Sequence, residues 1–157
     1  MPPVLSTDED EASRSVRSWE AEVVDPAVPL RIMDRAACSA MVAQAAACLG
    51  IVQPQTEFRD LGGEPCASDP ERNALVVANW ARTQVRVLHE VAHIAGWRGV
   101  CRGEPLHGPS FMSAAITVYE NVLGIPRGRL ESAATAHGLD FIPGMSPALA
   151  YHGPGEA

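Results

Sequence analysis

The chain has 157 residues, enough for one domain with a packed core and too few for two comfortable ones. Hydrophobic residues make up 46% and charged residues 20%, as in ordinary soluble globular proteins, and no run approaches the roughly 18 apolar residues of a membrane span. The formal net charge of −7 repels phosphate on average and disfavours nucleic acid as a partner.

The opening "MPPVLSTDEDEASRS" has neither the basic nor the apolar region of a secretory signal, so a cytoplasmic location is expected. Cysteines 38, 48, 66 and 101 form no C-x-x-C pair and are expected as thiols. Residues 1–15 are too polar to bury the surface that would offset ordering, and are expected as a disordered acidic tail. A single domain is expected over residues 16–142, followed by a flexible tail over 143–157 that is rich in proline and glycine.

Within the domain, "VRSWEAEVV" fits either a strand or a helix, and "DPAVP" ends it. "MDRAACSAMVAQAAACLG" reads as an alanine-rich helix with Asp34 as N-cap and Gly50 past its end. "QTEFRDL" and "NALVVANW" read as strands of a small antiparallel sheet, with "GGEPCASDPER" as the loop between them. From Thr83 to Ala95 the apolar residues Val85, Leu88, Val91, Ala92 and Ala95 recur at helical spacing, with Gly96 available to end the helix. After a glycine-rich loop, "PSFMSAAITVYENVLG" and "PRGRLESAATAHG" predict two further helices.

Helical spacing puts His89 and His93 one turn apart on one face, so two imidazole nitrogens can converge on one cation with Glu90 beside them. The string is H-E-x-x-H on a helix that follows a strand. In that setting the histidines hold zinc, and the glutamate, which is not a ligand, takes a proton from the metal's water. The bland alternative is a helix that happens to carry two histidines.

A catalytic zinc usually has three protein ligands and one open position. The longer pattern H-E-x-x-H-x-x-G-x-x-H holds through Gly96 and fails at Gly99, which has no side chain to offer. Met145 in "FIPGMSP" is then a loop methionine. Cys101, Glu104 and Glu120 are candidates for the third ligand, with a loop thiol and solvated carboxylates as their plain readings. His107 is favoured: it lies fourteen residues after His93, and the helix that follows can fix its backbone. Its plain reading is a helix-entry histidine facing water.

"LHEVAH", a variable loop, "HGPSF" and a helix resemble the SprT-like minimal zincins, in which a third histidine follows in an H-G-x-x-F context. More closely, "ALVVANWARTQVRVLHEVAH…HGPSF…LG" resembles a family of small metallohydrolases found mainly in actinobacteria and their phages, over about residues 70–140. The resemblance implies that His89, His93 and His107 bind zinc and that Glu90 is the general acid/base. The chain has no C-x-x-C zinc ribbon after the core and is acidic, which argues against the DNA-linked protease activity of larger SprT-like proteins.

The expected fold is α+β and minimal zincin-like: a small antiparallel sheet on an active-site helix, with helices before and after. The expected activity is that of a zinc hydrolase, a metallopeptidase acting on a peptide or protein substrate, with one catalytic Zn2+. Tyr119, His137, Tyr151 and Arg82 are possible electrophilic donors, and spacing does not choose among them. "NALVVANW" is the strand at whose free edge an extended substrate could add, and Trp80 and Trp97 flank the helix as core residues or pocket walls. The alternative is a zinc-stabilised binding or regulatory domain, although a closed structural site needs four ligands and no adjacent base. A metal-dependent phage regulator resembling metallopeptidase-like antirepressors is a third class, and it requires a partner repressor.

Overall fold

Val16, Trp19 and Val23 recur at helical spacing and are buried, so the segment that fitted two structures is helical. The computed structural model describes residues 7–143. It begins with helix α1, Thr7–Trp19, which runs into a π-helical turn, Glu20–Val24, and a short 3-10 turn, Asp25–Ala27, where Pro26 breaks it. Trp19 is fully buried and its Nε1 donates to the carbonyl of Leu130 at 3.1 Å.

Of the disordered tail expected over residues 1–15, residues 1–6 lie outside the described residues, and the rest is helical from Thr7. Propagating a helix from a packed end costs far less than nucleating one, so the anchored Val16–Val24 stretch carries its polar N-terminal neighbours with it. The tail expected over 143–157 lies outside the described residues, apart from Pro143.

Helix α2, Arg35–Leu49, has the predicted caps: Asp34 accepts from the Ala37 N–H at 2.7 Å, and Gly50 is left-handed with φ 68°. The sheet then departs from expectation. Its strands are β1, Gln55–Phe58; β2, Cys66–Asp69; and β3, Ala74–Val77, in the order β1-β3-β2. β1 and β3 pair in parallel, with Gln55 opposite Ala74, and only β2 pairs antiparallel to β3, with Cys66 opposite Val77.

The segment expected as a loop thus contributes a strand, and it is β2 and β3 that form the hairpin. Its tight connection is stabilised by the Asp69 carboxylate, which accepts from the Arg72 N–H at 3.2 Å. With β2 taking one side of β3, β1 is left to pair on the other in the same direction. β3 is buried at all four positions, as a central strand must be, so "NALVVANW" has no free edge; β2 is the edge strand beside the next helix.

That helix, α3, spans Gln84–Ala95 and buries Val87, Leu88, Val91, Ala92 and Ala95 against α2, β2 and the long helix that begins at Pro109. A short α4, Trp97–Cys101, replaces part of the expected loop, and α5, Pro109–Leu123, and α6, Arg127–Ala136, follow as predicted. α5 crosses the core, with Phe111, Met112, Ile116 and Tyr119 fully buried. Gly96 does not end α3 in a left-handed turn: it lets α5 in, since a Cβ there would lie 2.8 Å from the backbone nitrogen of Phe111. The architecture is therefore α+β with a small mixed sheet, and no helix among the described residues is long and apolar enough to cross a membrane.

Candidate metal centre

α3 supplies His89 and His93 from successive turns, and the turn that enters α5 supplies His107. The structure brings all three together: their nearest ligand nitrogens lie within 4.8 Å of one another, close enough to hold one metal ion. His89 Nε2 and His93 Nε2 are 3.1 Å apart. Two imidazole nitrogens on one tetrahedral zinc stand about 3.3 Å apart, given Zn–N bonds of about 2.0–2.1 Å, so the pair fits such an ion.

Phe111 floors the cluster. Its ring centroid lies 5.0, 4.4 and 4.8 Å from those of His89, His93 and His107. Its position on the first turn of α5 ties the floor to the same loop that carries His107. A second close approach sets that loop: a Cβ on Gly99 would fall 1.8 Å from Oε2 of Glu104, whose carboxylate accepts from the Ser110 N–H at 3.3 Å. The residue that breaks the longer histidine motif is therefore the one that makes room for the loop.

The surroundings keep two of the histidines neutral, the form in which imidazole binds metal. Burial pushes His93 well below the usual histidine range, helped by the charges of His89 and His107. Burial and His89 lower His107 to about 4. His89 goes the other way: burial pushes it down, but the charge and hydrogen bond of Glu20 outweigh that and raise it. His93 Nδ1 is buried with no hydrogen-bond partner among the described residues, and His107 Nδ1 lies 3.5 Å from the Ser13 hydroxyl on α1.

Glu90 points toward β2, where the Ser68 hydroxyl donates to it. Burial raises its carboxyl above the ordinary carboxylate range, against the opposing influence of His89 and Ser68. A carboxylate raised in this way takes up a proton more readily than a freely solvated one, as a general base must.

No family model matches the chain, and no curated protein or solved structure matches it. The site has to be judged on its own geometry.

The competing third ligands are engaged elsewhere. Glu120 pairs with Arg127 at 3.3 Å, Glu104 caps the start of α5, and Cys101 is exposed outside the cluster. Of the possible electrophiles, Tyr119 donates to Glu20 in the core, His137 contacts Glu22, and Arg82 donates to the Asn79 carbonyl at 3.2 Å. Tyr151 and Met145 lie outside the described residues. Trp80 is 54% exposed and so is not a core residue, whereas Trp97 is half-buried. Trp97 lines a cleft of about 380 Å3 with Arg59, Leu61, Ser68, Arg72 and Val76.

Two participants were missed from sequence. Ser68 sits on the unrecognised strand β2, and nothing in "CASD" signals its role. Glu20 accepts from His89 Nδ1 at 2.9 Å and from the Tyr119 hydroxyl, and it is buried. Had "VRSWEAEVV" been read as a helix, Glu20, four residues after Val16, would have stood out as a carboxylate on the apolar face.

Proposed function

We propose that the protein is a zinc-dependent hydrolase, a metallopeptidase in which His89, His93 and His107 hold the ion and Glu90 is the general base and acid. The observation that carries the reading is the convergence of three histidines, with a half-buried carboxylate of raised pKa on the same helix. His89, His93 and His107 would hold the zinc, which would supply Lewis acidity toward water and the scissile carbonyl.

Glu90 takes the proton of the attacking water and passes it to the leaving amine, and Ser68 orients its carboxylate between the two transfers. Phe111 keeps the histidine rings in place and solvent out beneath them. β2, whose outer edge is unpaired among the described residues, offers backbone groups to an extended peptide, and its Ser68 connects that edge to Glu90. The family resemblance in "LHEVAH" and "HGPSF" favours the same assignment. A closed structural zinc would need a fourth ligand, and Cys101, Glu104 and Glu120 are placed or engaged elsewhere.

Metal content of the purified protein tests the reading, repeated with His107→Ala and Glu90→Gln. One zinc per chain is expected in the parent and in Glu90→Gln, with most of it lost from His107→Ala; unchanged zinc in His107→Ala would refute the ligand set. Cleavage of a broad peptide pool is expected from the parent and should fall by about 100-fold or more in Glu90→Gln. Zinc-loaded parent that cleaves nothing in such pools would favour the binding-domain alternative.

A further inference from the structure

Glu20 is a carboxylate only 7% exposed, far from HExxH in sequence and on a different helix. Two donors converge on its Oε2: His89 Nδ1 at 2.9 Å and the Tyr119 hydroxyl. Tyr119 is itself fixed, buried in α5 with its ring packed on Trp19 at 5.7 Å between centroids. Glu20 forms its ion pair with His89.

Such burial is expensive unless the charge is met by a cation on the His89 side. A divalent cation on the far nitrogen of His89 is one that does. The backbone shows the same accommodation, since the π-helical turn begins at Glu20 and shifts the register of the helix at this residue.

We propose that Glu20, backed by Tyr119, is the positioning residue of the metal centre. By accepting from Nδ1 it holds His89 in the tautomer whose proton is on Nδ1, and so leaves the Nε2 lone pair aimed at the ion beside His93. It also supplies the negative charge that balances the cation. The N-terminal helix is thereby part of the site rather than an appendage to it. This inference rests on the reading that the three histidines bind a metal.

The test is the affinity of the folded full-length protein for zinc and cobalt(II), measured by chelator competition and by the visible spectrum of the cobalt form. Glu20→Gln preserves size and can still accept from His89, but it removes the charge. It should keep one ion per chain with affinity about 10- to 100-fold weaker and with shifted cobalt bands. Tyr119→Phe should weaken binding by a smaller factor. A merely structural role would lower the melting temperature of the metal-free protein and leave both the affinity of the folded molecules and the cobalt spectrum unchanged. That outcome, with His107→Ala still defective, overturns the positioning role and leaves the metal centre standing. A parent protein that binds no ion removes the metal centre and this inference together. If Glu20→Gln does not fold, Tyr119→Phe decides alone, since it deletes one hydroxyl: unchanged affinity there overturns the proposal.

Discussion

At the scale of single residues, the site is a lesson in how surroundings assign roles to carboxylates that look alike in sequence. Glu90 is half-buried against β2 and raised in pKa, Glu104 caps α5, and Glu120 lies on a partly exposed face in a pair with Arg127. Glu120 was a candidate third ligand from sequence, so its removal is diagnostic. Glu120→Ala is expected to leave zinc content unchanged. It should cost no more than about 1 kcal/mol of stability, because both partners are solvent-accessible and the pair is screened. Denaturant titration with parallel metal analysis checks both halves of the expectation, and loss of zinc would restore Glu120 as a ligand. Glu20 was hidden for a different reason. Its importance depends on a contact between helices sixty-nine residues apart in sequence, and nothing local to either helix encodes that distance.

At the scale of elements, what was legible depended on whether an element's signal is local. α2, α3 and α5 were readable because caps, Pro109 and apolar spacing all lie within the segment. His107 could be picked out because the loop after α3 is short and a helix starts just behind it. β2 was not readable, since "CASD" has little β-propensity and becomes a strand by pairing with β3; with it went the mixed topology of the sheet. α1 was half readable, because its polar first turns are helical only as an extension of the packed part. The approach of α5 to α3 at Gly96 is the element-scale feature on which the site most depends. The atoms in the way of a new Cβ are the backbone nitrogen and Cα of Phe111, at 2.8 and 2.9 Å, and backbone cannot rotate aside. Gly96→Ala should therefore cost about 1–3 kcal/mol. It should also weaken zinc binding, since Phe111 and His107 move with the start of α5. A melting temperature and zinc affinity both equal to the parent's would show that the helices do not depend on this contact.

At the scale of the whole molecule, the histidine cluster and Glu20 tie α1, α3 and the start of α5 into one unit, so an ion held there as proposed must appear in global stability. An ion that binds only the folded chain adds about 4 kcal/mol at a thousand times its dissociation constant. For a domain of this size that corresponds to a rise in melting temperature of about 8–16 °C, to be reversed by chelator. The metal-free protein should further show the histidines in its acid response. His107 titrates at about 4 in the folded state against an ordinary value of 6.5, so below pH 6.5 the unfolded chain binds the proton first. Stability is then lost progressively as pH falls from about 6.5 to about 4, and His93 contributes with the same sign because burial lowers it too. His89 opposes them: its raised value favours the folded state at low pH, and that contribution fades as pH climbs through the folded value. Carboxylates titrate across the lower part of this window, so the useful quantity is a difference. Metal-free parent and His107→Gln, compared by denaturant unfolding at pH 7, 5 and 4, should diverge, with the variant gaining on the parent as the pH drops. Parallel curves would mean that His107 is freely solvated when no ion is bound, and that the cluster is assembled by the metal rather than waiting for it.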